Sequence, residues 1–134
     1  MLNREMILKA QDLGRELVNV PEWGGEVYVR GFTAWEKEEV EMRSLAMVDV
    51  ATGQIKDASQ MAGLRVWIVA RCVVDSDGNR IFTDADMEAL QEKNEDAIRR
   101  LAEMPAEMSK IKNKTVEEAE KNSVSRQNGN SGTS

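Results

Sequence analysis

Histidine is absent from this chain and cysteine occurs once. The first absence removes the commonest general base and the commonest zinc ligand together. The second excludes an internal disulfide. Cys72 sits inside the apolar run Val66-Trp67-Ile68-Val69-Ala70-Arg71-Cys72-Val73-Val74, and no histidine exists to activate it. It reads as a small buried hydrophobe, and one thiol without bridges fits a reducing cytosol. No apolar stretch approaches the roughly 20 residues needed to span a bilayer. The start, Met1-Leu2-Asn3-Arg4-Glu5, lacks the basic-then-apolar layout of a signal peptide, so the expectation is a protein that stays where it is made. No GxGxxG, P-loop, GxSxG, HExxH or CxxC pattern occurs either. Enzyme chemistry has no support in the residue types present, and no cofactor is expected.

What is present is one domain's worth of chain. At 134 residues, 41% hydrophobic and 31% charged, there is material for a modest core with a loose end. The balance is acidic, with 18 Lys+Arg against 24 Asp+Glu and a net charge of −6. Such a chain repels nucleic acid and anionic lipid, so neither nucleic acid nor membrane is an expected partner.

The patterning alternates between the two periods of secondary structure. Asn3 caps a predicted short helix over 3–12, with Met6, Ile7 and Ala10 on one face. Val18/Val20 and Val27/Val29 alternate as in half-buried strands, and Pro21-Glu22-Trp23-Gly24-Gly25 between them supplies turn chemistry. Together they predict a β-hairpin. Thr33-Ala34-Trp35-Glu36 is a capping box that opens a helix to about Val48, with Trp35, Val40, Met42 and Leu45 to Val48 as its apolar contacts. From Ala58 to Val74 the β-branched run allows a strand, but its length and the Met61, Leu64, Ile68 spacing favour a buried helix at the centre of the core. Thr83 to Asp86 forms a second box. Its helix, carrying Met87, Leu90, Ala97, Ile98 and Leu101, is expected to end before Pro105. A third box begins at Thr115, and residues 123–134 are polar enough to be disordered.

Four features compete with bland readings. Asp75-x-Asp77-Gly78-Asn79 opens like an EF-hand loop, but its sixth and twelfth positions hold Arg80 and Asp86 instead of glycine and glutamate. A turn whose polar side chains bond local backbone is the better reading. The runs Glu36-Lys37-Glu38-Glu39 and Glu117-Glu118 suit helix starts and solvent rather than a catalytic pocket. Eight methionines stand against three Trp, two Phe and one Tyr. Most are core filling. Met104 and Met108, four residues apart across Pro105, are candidates for binding apolar segments. Trp23 at the hairpin tip is either an exposed interface residue or a cover over the core edge.

The order of motifs resembles that of the tail assembly chaperones of long-tailed bacteriophages, over roughly residues 2–122. An N-terminal Leu-x-x-Glu-x-Ile-Leu-x-Ala-x-Asp-Leu precedes Val18-x-Val20-Pro21-Glu22-Trp23-Gly24-Gly25-x-Val27-x-Val29-Arg30. Later come Val73-Val74-Asp75-x-Asp77-Gly78-Asn79-Arg80-x-Phe82-Thr83-Asp84 and Glu120-Lys121-Asn122. The resemblance implies a non-enzymatic helper of tail morphogenesis. Such a helper coats the tape measure protein, recruits tail tube subunits, self-associates, acts in the host cytoplasm and leaves before the virion is complete. A structural virion protein, such as a minor tail or head–tail connector subunit, is the alternative. The expected architecture is α+β: an N-terminal β-hairpin packed on three to four helices over 1–122, then a disordered polar tail over 123–134.

Overall fold

A computed structural model describes residues 1–56 and 58–109. The chain opens with helix α1 (Arg4–Lys9), where the Asn3 side chain accepts a hydrogen bond from Met6 N–H at 2.9 Å. The helix is shorter than its sequence pattern suggests and buries no residue. Strands β1 (Arg15–Val20) and β2 (Gly25–Arg30) follow as an antiparallel hairpin, in register from Arg15 opposite Arg30 to Val20 opposite Gly25. A single 3-10 turn, Pro21–Trp23, joins them. It closes on Gly24 at φ +76°, a left-handed conformation that side chains with a Cβ rarely adopt.

Helix α2 (Ala34–Met47) begins at the capping box, with Thr33 Oγ1 accepting from Glu36 N–H and Glu36 Oε1 accepting from Thr33 N–H. Helix α3 (Ala58–Cys72) is the centre of the core, with Leu64, Val66 to Ala70 and Cys72 all buried. The β-branched end of that run finishes as a short strand, β3 (Val73–Val74), paired antiparallel to β2 to complete a three-stranded sheet. Both readings of the segment therefore hold, each over its own part. Arg80 secures the junction by donating from Nε and Nη2 to the carbonyl of Ala70, near the α3 C-terminus, where a cation suits the helix dipole.

The remaining helical segment differs from its sequence pattern in two ways. Asp86 caps Thr83 N–H at 2.8 Å, but the helix it starts, α4 (Met87–Leu90), ends almost at once. The chain restarts as α5 over 95–109, with Asn94 Oδ1 accepting from Ala97 N–H. The break lets Leu90 and the Ala97, Ile98, Leu101 face both reach the core. Second, α5 continues through Pro105. Proline gives up one helical hydrogen bond, and full burial of its ring offsets part of that loss. The predicted third capping box at Thr115 and the polar tail over 123–134 lie outside the described residues.

One buried charge ties these elements together. Glu36 has no solvent exposure. Its carboxylate accepts from Arg30 Nη1 at 2.7 Å, Arg30 Nη2 at 2.9 Å, Arg71 Nε at 2.7 Å and Thr33 N–H at 2.9 Å. The Arg71 guanidinium also stacks over Trp35 and Trp67, at 5.0 and 5.3 Å from the ring centroids. Burial alone would raise the Glu36 pKa. The hydrogen bonds from Arg30, Thr33 and Arg71 outweigh it and hold the carboxyl down at about 2.

Glu36→Ala leaves two guanidinium groups without their shared partner and is expected to cost about 3–5 kcal/mol in urea unfolding. The ionised form is the one the fold stabilises. The Glu36 contribution should therefore be complete above the ordinary value of 4.5 and fade as pH falls toward about 2. Urea midpoints measured down that range should fall more steeply for the wild type than for Glu36→Gln.

Candidate interaction surface

The groups with displaced pKa values are structural. Cys72 is buried, and desolvation pushes its thiol up to about 12. Glu22 is held at about 2 chiefly by hydrogen bonds from Arg100, at 2.6 and 2.9 Å, which fasten the hairpin turn to α5. Glu36 is sealed from solvent. Among the described residues, no three His, Cys, Asp or Glu side chains gather as a metal site. In the Asp75 turn, the Asp75 carboxylate accepts from Asp77 N–H and Asn79 N–H at 2.9 and 3.0 Å, so it serves its own backbone. Gly78 there has φ +86°, and a Cβ on it would lie 2.8 Å from Arg15 Nη1.

Trp23, Met104 and Met108 do not form one surface. Trp23 folds back and packs half-buried against the core edge. Its Nε1 is buried without a hydrogen-bond acceptor among the described residues. Because α5 continues through Pro105, Met104 and Met108 lie about one helical turn apart. Met104 packs on the core. Met108 lines a cleft of about 390 Å³ shared with Leu13, Arg15 and Phe32.

The larger apolar exposure lies elsewhere. On α2 the buried face is set by Glu36, Val40 and Met47, which fall within about 40° of one another around the helix. Leu45 then points about 180° away, and Met42 falls outside that face as well. They are 74% and 68% exposed. The sequence pattern had counted both as apolar contacts of this helix, and the orientation imposed by Glu36 reverses that. Trp35 is also more exposed than its pattern suggests, resting at the surface with its ring centroid 5.9 Å from that of Trp67. Glu38 and Glu41 share the outward face of α2, at the spacing i, i+3, i+4, i+7 with Met42 and Leu45. A shallow groove of about 430 Å³ runs beside them, lined by Val40, Glu41, Ser44, Leu45 and Val48. Val50 and Ile55 extend the exposure into the turn after α2. At the N-terminus, Leu2, Met6, Ile7, Leu8 and Leu13 are exposed together. Apolar residues grouped on one helix face, as Met42 and Leu45 are, form a candidate contact surface.

The comparisons with known proteins agree with an assembly role. The sequence pattern of the family described as phage tail assembly chaperone matches residues 3–122. A solved structure titled as the tail assembly chaperone of bacteriophage HK97 has a similar fold, with a TM-score of 0.56 at 20% identity. The match covers 75% of this chain and 92% of that one. No curated protein matches the chain.

Since the only thiol is buried and strongly disfavours ionisation, Cys72 should react with Ellman's reagent at pH 8 only as fast as the protein unfolds. The rate of colour release in native buffer and in urea checks this.

Proposed function

Because this chain belongs to the phage tail assembly chaperone family, we propose that it binds the tape measure protein and recruits tail tube subunits while the tail is built. The observation that supports this reading, beyond family membership, is the exposed apolar surface on a protein whose buried ionisable groups, Glu36 and Cys72, are committed to structure. The apolar stripe of a long helical partner left in water would aggregate. A small acidic domain with adaptable Met and Leu contacts covers such stripes and keeps the complex soluble through its charge. The role is non-enzymatic. Coating a partner much longer than itself requires many copies with weak contacts between them, so self-association belongs to the same reading. The site of action is the host cytoplasm, and the protein is absent from the finished particle.

Co-expression with the tape measure protein of the same phage tests the proposal. The tape measure protein should be soluble only in the presence of this chain and should copurify with it, together with tube subunits. Purified virions should contain none of it. Stoichiometric copies persisting in virions would overturn the chaperone reading in favour of a structural tail subunit.

A further inference from the structure

Two apolar surfaces of this chain have no cover among the described residues, and the side chains flanking them carry opposite charge. The first is the N-terminal helix. Met6 and Ile7 share one side of α1, with Arg4 and Lys9 flanking that side about 60° away on either edge. The second is the outward face of α2, where Met42 and Leu45 lie with Glu38 and Glu41 beside the groove. Arg4, Lys9, Glu38 and Glu41 have no ion-pair partner among the described residues, and all four are exposed. Both surfaces are exposed at once in the same chain, so α1 does not cover its own α2.

We propose that the α1 helix of one copy docks on the outward face of α2 of a second copy, with Met6 and Ile7 on Met42 and Leu45 and the cations Arg4 and Lys9 against Glu38 and Glu41. The occupant is named by two independent features. Met6 and Ile7 are exposed apolar residues that need a cover, and the two carboxylates beside Met42 and Leu45 select an apolar helix edged by cations over one edged by carboxylates. The contact is heterologous, because one patch meets a different patch. Each copy joined in this way keeps one free arm or one free α2 face, so copies add in sequence unless the chain closes on itself. This specifies the self-association in the proposed function and rests on that reading, although it is measurable without any tail protein.

Sedimentation of the full chain at rising concentration tests it. The wild type should associate, and added salt should weaken the association. The double variants Glu38→Lys/Glu41→Lys and Arg4→Glu/Lys9→Glu should each associate at least about tenfold more weakly than the wild type. All four positions are exposed, so unchanged thermal melts should confirm that both variants fold. Mixing the two variants should restore association, because each arm then meets an α2 face of opposite charge. A wild type that stays monomeric, variants that associate like the wild type, or a mixture that fails to recover would each overturn the proposal. Intact capture of the tape measure protein with no recovery on mixing would sink the docking mode alone. Recovery on mixing with no capture would sink the chaperone reading and leave the docking mode standing.

Discussion

The geometry of this molecule hangs on the carboxylate of Glu36. It stands in the first turn of α2 and collects donors from three places: Arg30 at the end of β2, the Thr33 N–H before the helix, and Arg71 at the end of α3. A buried ion pair is a weak source of net stability, because removing both charges from water offsets most of their attraction. Its effect is geometric. A carboxylate that must satisfy four donors fixed on different elements admits one rotation of α2 about its own axis. That rotation packs Val40 and Met47 inward and directs Leu45 and Met42 away from the core. The exposed apolar face of α2 is therefore a consequence of how the core is tied.

Arg71 extends the same constraint outward. Its guanidinium lies over Trp35 and Trp67, and Arg43 covers Trp67 at 4.7 Å, so two tryptophans and two arginines form a stacked edge between α2 and α3. Arg fits this position through its planar, weakly hydrated head, which serves the carboxylate and the ring face together. Lysine at position 71 would keep the charge and lose the stacking. At the other end of the molecule the Glu22–Arg100 pair fastens the hairpin turn to α5, and this holds Trp23 down against the core edge.

Local chemistry was legible in the sequence, and long-range pairing was not. The Thr33 to Glu36 box fixes the start of α2, the Pro21 to Gly25 segment fixes the hairpin turn, and the apolar run at Val66 to Val74 marks the core. Each signal lies within a few residues of its effect. The second role of Glu36 depends on Arg71, 35 residues away, and no spacing rule reports such a pair. Without it, Met42 and Leu45 look like ordinary inward contacts. Pro105 misleads for a related reason: its penalty is local, while the burial that offsets it comes from the rest of the fold. The break between α4 and α5 was legible in part, since Asn94 is a good cap. The helical spacing of Met87, Leu90, Ala97, Ile98 and Leu101, which stays in register across the polar run from Gln91 to Asp96, concealed it.

The N-terminal helix shows why exposed surface of this kind suits a temporary partner. Six residues are too few for a helix to hold itself firmly in water, and α1 buries nothing that would compensate. Its Asn3 cap supplies one hydrogen bond, worth about 1 kcal/mol. In the docking mode proposed above, the second copy must therefore supply most of the ordering energy, which subtracts from affinity and makes each contact weak. Under the same proposal, many such contacts along a long partner add up to stable coverage, and removal of that partner leaves only the weak ones. A well-buried N-terminal helix would lack that property, and the exposure of α1 follows from the absence of any core face on it.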